Sequence, residues 1–288
     1  MQQNITTREV ATAPHLVFEV STAGPEGAPL VLFLHGFSSS RFAWNAQVQA
    51  VGDAGYFAAA PNQRGYSPKA RPDTTDLDAY KMDKLIQDVP DIVAALGYGG
   101  QRFHLVGHDW GGSLSWEVAD RYADRLLSLT ILSRPHPLAF NRALELDEGQ
   151  KARSGHHTKF LDPAAGPNII ADNGKWLRDR LARNHVPADK IEHHLSVLGN
   201  EGGIEAALAW YRARGPYHPP VGPTRVPTLY IWGDADDSVG RIAAEGTQEF
   251  VAAPFTFEVL AGGGHFVHDQ YPDQVNAALL AHLKRHAA

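Results

Sequence analysis

The chain contains no cysteine, so neither a disulfide nor a thiolate metal site can form in it, an absence consistent with a reducing compartment. It has no basic run either: 26 Lys and Arg stand against 32 Asp and Glu, a formal net charge of −6 with both signs spread along the chain. Nucleic acid is therefore not expected as a partner. No stretch approaches the roughly 18 uninterrupted apolar residues of a membrane-crossing helix, and Met1-Gln2-Gln3-Asn4 opens no basic segment followed by an apolar one. A soluble, cytoplasmic protein with no membrane contact is expected. Fifteen histidines invite a metal reading, above all the pairs His156-His157 and His193-His194. Adjacent helical residues point in different directions, however, and no His-Glu-x-x-His spacing occurs, so neither a catalytic metal nor any other cofactor is expected.

What is present is enough apolar content, 43% of 288 residues, to pack one large domain or a domain with a sizeable insertion. Thr6 to Val10 and Leu16 to Val20 read as a hairpin at a sheet edge, and the continuous apolar run Pro29 to Leu34 reads as a strand covered on both faces. Helical spacing over Phe42 to Val51, a strand at Tyr56 to Ala60, and a long helical stretch from Asp76 to Leu96, stopped by Gly97, come next. Further strands are expected at Arg102 to Val106, Leu126 to Leu132, Val226 to Trp232 and Phe255 to Leu260, with a last helix from Pro272 to His286. Strands alternating with helices at this spacing indicate a parallel sheet with helices on both faces. The alternation breaks at Ser133-Arg134-Pro135. The residues from there to about Arg225 carry only helical segments, at Leu144 to Arg153, Trp176 to Ala182, Asp189 to Leu198 and Gly203 to Arg214. Such a block between sheet strands is read as a lid over the strands' carboxyl ends, where ligands collect. The expected division is a core of residues 1–133 and 226–288 and a helical cap of residues 134–225.

The stretch Leu105-Val106-Gly107-His108-Asp109-Trp110-Gly111-Gly112 joins a buried strand directly to a helix. A side chain held at so tight a turn needs small neighbours two residues to either side, and Gly107 and Gly111 supply them around Asp109. One reading is a nucleophile elbow holding a carboxylate that attacks carbon and leaves an ester on the protein. The other is an ordinary strand-to-helix turn with an N-capping Asp. Likewise His35-Gly36-Phe37, directly after the apolar strand, is either a plain turn or a loop that aims the Phe37 amide at an anion, with His35 tying it together by hydrogen bonds.

Taken in order, His35-Gly36-Phe37, Gly107-His108-Asp109-Trp110-Gly111-Gly112, Trp232-Gly233-Asp234-Ala235-Asp236 and Gly264-His265-Phe266 resemble the motifs of the α/β-hydrolase fold, in the aspartate-nucleophile branch that holds epoxide hydrolases and haloalkane dehalogenases. The likeness covers nearly the whole chain. It implies a mostly parallel central sheet with helices on both faces and an inserted helical cap. It also implies that Asp109 is the nucleophile, His265 the base that activates water, Asp236 the residue orienting that histidine, and the amides of Phe37 and Trp110 the oxyanion hole. Asp234 and Asp237 flank Asp236 and leave the choice of carboxylate open.

A halide leaves as a stable anion and needs only donors, whereas an epoxide oxygen leaves as a basic alkoxide and needs an acid such as tyrosine. Related dehalogenases commonly have asparagine where Phe37 stands. The segment Ala209-Trp210-Tyr211-Arg212 resembles the Trp-Tyr-Arg stretch of epoxide hydrolase lids, whose tyrosine is one of two ring-opening acids, and this resemblance assigns that role to Tyr211. A lid tyrosine merely packed on the core is the alternative. The second tyrosine of related lids falls, counting back from Phe160-Leu161-Asp162-Pro163, on His156, which either donates to substrate or is a plain surface histidine. His35, His156 and Trp210 are the candidate substrate contacts. The expected activity is cofactor-independent opening of an epoxide to a vicinal diol, with a haloalkane dehalogenase as the alternative and a non-catalytic small-ligand-binding protein as a third reading. The expected partners are a small hydrophobic substrate and water, and the chain is expected to be a monomer or homodimer.

Overall fold

The computed structural model describes residues 5–200, 202–214 and 221–287. The N-terminal reading on Met1 to Asn4, and residues 201 and 215–220 of the expected cap, lie outside the described residues. Eight strands form one sheet: β1 (Thr6–Ala13), β2 (Leu16–Ala23), β3 (Leu30–Leu34), β4 (Phe57–Pro61), β5 (Phe103–His108), β6 (Leu126–Leu132), β7 (Thr228–Gly233) and β8 (Phe255–Leu260), in the spatial order β1-β2-β4-β3-β5-β6-β7-β8. β1 pairs antiparallel with β2, and β2 with β4; every pairing from β4 through β8 is parallel.

The two-residue period of a strand divides its side chains between two cores. On β3, Leu30, Leu32 and Leu34 join Leu85, Ile86, Val89 and Leu114 on one side. Val31 and Phe33 join Val48, Val51, Val275, Leu279 and Leu283 on the other. The first core belongs to α2 (Met82–Val93) and α3 (Trp110–Arg121), the second to α1 (Asn45–Asp53) and the final helix of the chain. β3, β5 and β6 are buried along their full length, so none shows an inside–outside alternation; β3 is apolar throughout, while β5 and β6 carry the buried polar residues His104, His108, Ser128 and Thr130.

Between β6 and β7 the described chain contains helices and no sheet strand: α4 (Pro137–Leu146), α5 (Glu148–Arg153), α6 (His156–Lys159), α7 (Ala165–Arg183), α8 (Ala188–Leu198) and α9 (Gly203–Arg214). After β7 come α10 (Arg241–Gly246), α11 (Val267–Gln270) and α12 (Pro272–Arg285). Among the described residues no helix is long and apolar enough to cross a membrane.

Two helical expectations are corrected. The stretch Asp76 to Leu96 is not one helix: a 3-10 turn over Leu77–Tyr80 ends at the extended residue Lys81, because buried Tyr80 is anchored by its hydroxyl to the Pro72 carbonyl at 2.6 Å. The α-helix restarts at Met82 and closes in a π-turn at Gly97 (φ 93°). Leu144 to Arg153 is broken at Asp147, whose carboxylate caps a new helix by accepting from the Gly149 amide at 2.8 Å. Trp176 to Ala182 is helical as expected: α7 is interrupted by the non-helical residues Ala171 to Gly174, of which Asp172, Asn173 and Gly174 are left-handed, and its second segment carries this stretch. α10 and α11 were not expected at all.

Candidate active site

β5 ends at His108 and α3 begins at Trp110, so the whole turn falls on Asp109, held at φ 51° and ψ −116°. No residue other than glycine adopts such a backbone without strain, and strain of this kind gathers at functional sites. The flanking glycines are required by close approach. A Cβ on Gly111 would lie 2.1 Å from the Leu34 carbonyl oxygen, and one on Gly107 would lie 2.3 Å from Ser115 Oγ. Gly36 is pressed against the nucleophile candidate itself, since a Cβ there would meet Asp109 Cβ at 2.4 Å.

That contact seats the Phe37 amide on Asp109 Oδ1 at 2.8 Å. The other carboxylate oxygen, Oδ2, lies 3.3 Å from His265 Nε2. His265 Nδ1 in turn lies 3.0 Å from both oxygens of Asp236, and the amides of Ser238 and Val239 donate to Asp236 Oδ1 at 2.7 and 3.0 Å. The ambiguity among three acids thus resolves: Asp234 accepts from the Gly262 amide, Asp237 from Asn184 and Ser238, and only Asp236 faces the histidine. Trp110 is the first residue of α3, where an amide has no partner within the helix.

The electrostatics are those of a buried charge chain. Burial opposes the charge on Asp109, but the hydrogen bond and positive charge of His265, with His108 and Arg134, outweigh it and hold the carboxyl well below the usual range. Burial also pulls the His265 pKa down, yet Asp236 and Asp109 override it and raise it to about 10. Neighbouring His108 is driven the other way, to about 3, by burial and by His265, and its Nε2 lies 2.9 Å from the His265 carbonyl oxygen.

Above the carboxylate stands Tyr211, buried edge-on between Phe37 at 5.2 Å, Trp110 at 4.9 Å and Phe160 at 5.0 Å between ring centres. Burial first, then the Asp109 charge, pushes its hydroxyl well above the ordinary tyrosine value. α9 is pinned in place one residue earlier. The Trp210 indole donates to the Arg64 carbonyl at 3.0 Å, and Arg64 is itself held by a bidentate buried ion pair to Asp88 of α2.

Three candidate contacts are thereby reassigned. Trp210 spends its indole N–H on Arg64 and braces α9 rather than facing a ligand with a free donor. His35 accepts from the Gln63 amide at Nε2, 3.2 Å, and donates from Nδ1 to the Gly36 carbonyl at 3.0 Å, so both ring nitrogens tie the loop and none is left for substrate. His156 lies near Tyr211, 6.4 Å between ring centres, but its Nδ1 donates to the Arg153 carbonyl at 3.0 Å. Burial and nearby Arg180 lower its pKa to about 4. The ring is neutral at pH 7 with a lone pair at Nε2, so it offers an acceptor and not an acid.

Two residues of the site have no counterpart in the sequence reading. Asn184, at the end of α7, accepts from the His265 amide at 3.1 Å and donates to Asp237 at 3.3 Å, so a residue from the helical block holds the catalytic histidine candidate. Arg134, the second residue past β6, is within electrostatic reach of Asp109. Its position at the carboxyl end of a central parallel strand was the one available signal.

The profile of the Alpha/beta hydrolase family matches residues 31–278, and the chain belongs to that family. It is 29% identical over 283 residues to Epoxide hydrolase 3 of Xenopus tropicalis, covering 93% of this chain and 74% of the relative. It is 28% identical to Epoxide hydrolase A of Mycobacterium tuberculosis, covering 92% and 93% of the two chains. Among solved structures, one described as novel epoxide hydrolases from metagenomes of hot environments superposes with a TM-score of 0.85 at 30% identity, over 97% of this chain and 99% of that one. Epoxide Hydrolase A from Mycobacterium thermoresistibile superposes with a TM-score of 0.81 at 25% identity, over 98% of each.

Proposed function

We propose that the protein is a cofactor-independent epoxide hydrolase that opens an epoxide to a vicinal diol through an ester on Asp109. The observation that carries this reading is a carboxylate with its two oxygens differently engaged, Oδ1 on the Phe37 amide at 2.8 Å and Oδ2 3.3 Å from His265, beneath a buried tyrosine hydroxyl. In this reading residues 134–225 form the cap that carries Tyr211 over a core of residues 1–133 and 226–288.

Oδ2 of Asp109 attacks an oxirane carbon, the carbon–oxygen bond breaks, and the departing alkoxide takes the Tyr211 proton. Forming the ester removes the Asp109 charge and, with it, two of the contributions that keep His265 protonated. His265 then releases its proton, which restores Tyr211, and becomes able to accept one from water. Hydroxide adds to the ester carbonyl, whose oxygen is the former Oδ1 in the oxyanion hole of the Phe37 and Trp110 amides; such a donor is worth about 3 kcal/mol. Collapse expels the diol, which takes the proton from His265, and the proton left on the Asp109 carboxyl then passes to His265, so that Asp109 returns ionised and His265 protonated. Epoxide plus water gives diol with no other reactant.

A halide needs free N–H donors, but the Trp210 indole is bonded to Arg64. This favours an alkoxide leaving group protonated by Tyr211. The test is a panel of aryl and alkyl epoxides run beside haloalkanes, with Asp109→Asn as control. Diol formation abolished by the substitution is expected; halide release without epoxide consumption would reverse the assignment.

A further inference from the structure

β5 and β6 lie side by side, and each ends in a left-handed non-glycine residue at φ 51°, Asp109 on β5 and Ser133 on β6. The first carries the nucleophile candidate. The second turns the chain immediately before Arg134, whose side chain is buried, only 9% of the residue being exposed. Burying a cation without a hydrogen-bonded partner is costly, and structures ordinarily pair it. Among the described residues no carboxylate or other acceptor bonds the Arg134 guanidinium; its face rests on the Phe140 ring at 4.2 Å. It borders a cavity with about 350 Å³ of empty space, shared with Ser113, Glu117, Phe140, Asn141 and Arg214.

Arg214 brings a second positive charge to the same cavity. It lies one helical turn beyond Tyr211 on α9, so both side chains project from one face, and its guanidinium sits 5.1 Å from the centre of the Trp110 ring. The one acid in the cavity, Glu117, does not neutralise Arg134: its charge is coupled to Asp120, Arg121 and Arg214, and burial raises its pKa to about 7. With Arg134 and Arg214 in its wall, and Arg134 within electrostatic reach of Asp109, the cavity is therefore a small, positively charged compartment. A guanidinium fork matches a planar carboxylate in two parallel hydrogen bonds.

We propose that Arg134, with Arg214, forms a carboxylate-binding subsite, and that the preferred substrate is an epoxide bearing a carboxylate a few bonds from the ring. The inference rests on the epoxide reading for the reacting group but not for the subsite. The aromatic enclosure of Phe37, Trp110, Phe160 and Tyr211 takes the apolar body of the molecule while Arg134 fixes the register of the epoxide over Asp109.

The experiment compares an aryl glycidate with its isosteric primary amide in the full-length protein, and separately measures the effect of butyrate and butyramide on melting temperature. Hydrogen bonds to a charged group predict that Arg134→Gln lowers the acid-to-amide ratio of kcat/KM about 10- to 100-fold, with Arg134→Lys and Arg214→Gln intermediate. The ratio cancels any general loss of turnover or stability. Butyrate, and not butyramide, raises the melting temperature of the parent protein, and the shift disappears in Arg134→Gln. If that variant does not fold, Arg134→Lys and Arg214→Gln carry the comparison. A ratio unchanged in the folded variants, or no butyrate effect in the parent, overturns the subsite. Arg134-dependent butyrate binding in a protein that opens no epoxide preserves the subsite and removes the epoxide reading. Turnover of neutral epoxides with no preference for the acid does the reverse.

Discussion

Replacing Tyr211 with Phe removes one oxygen and leaves the ring packing on Phe37, Trp110 and Phe160 intact. The size of the effect follows from what remains to protonate the alkoxide. Where two acids share this task, losing one leaves the other. Here the second position holds His156, lowered to about 4, with its N–H committed to the Arg153 carbonyl. At pH 7 only about one His156 in a thousand carries the extra proton, by three pKa units. The neighbouring His157, whose ring centre is 5.8 Å from that of Tyr211, is lowered further, to about 2, by burial and His156. Of Tyr211, His156 and His157, Tyr211 alone is therefore an effective acid, and its loss should cost the full general-acid contribution of about 10²–10⁴-fold in ester formation, near 3–5 kcal/mol of barrier. Ester hydrolysis, which does not use the hydroxyl, should change little. Stopped-flow fluorescence separates the two steps, because Trp110 touches both Tyr211 and the nucleophile's turn. A loss under about tenfold in ester formation, or an equal loss in both steps, would refute the reasoning, since a general acid acts on one step and by more than this.

Asn184→Ala strips the His265 amide of its buried acceptor and should cost about 1–3 kcal/mol of stability while slowing ester hydrolysis; urea unfolding and single-turnover rates check both, and an unchanged hydrolysis rate would deny the positioning role. The pH dependence of stability has a definite sign. The folded pKa of His265, about 10, exceeds its ordinary 6.5, so its contribution is fully present below about pH 6.5 and is lost as pH rises through about 10. Urea midpoints from pH 6 to 10.5 should therefore fall more steeply in the parent than in His265→Gln, and parallel curves would contradict the charge assignment.

How much of this was legible in the chain depends on how local each cause is. The turn at Asp109 was legible because its steric demand is met two residues away, at Gly107 and Gly111; Asp236 came from the resemblance with Asp234 and Asp237 beside it, and only its contacts to His265 at 3.0 Å single it out. The break at Asp147 is local too, but a helical period continues across it, and only the capping bond to Gly149 shows the restart. Asn184 and Arg134 were not legible. The first meets His265 across 81 residues, and the second is a single arginine after a strand, with no spacing to mark it. The same holds for Trp210 and His35, whose residue types suited a ligand but whose hydrogen bonds are spent on Arg64 and on the loop of Gly36 and Gln63.

The central claim is that a bond forms between Asp109 and substrate carbon, and isotope transfer tests it most directly. In a single turnover in oxygen-18 water, with enzyme in excess over a reactive epoxide, the label should appear in the Asp109 carboxylate, read by mass spectrometry of the peptide that contains it, while the diol remains unlabelled. A labelled diol with an unlabelled Asp109 would show that water attacks the epoxide directly, and the account would fail.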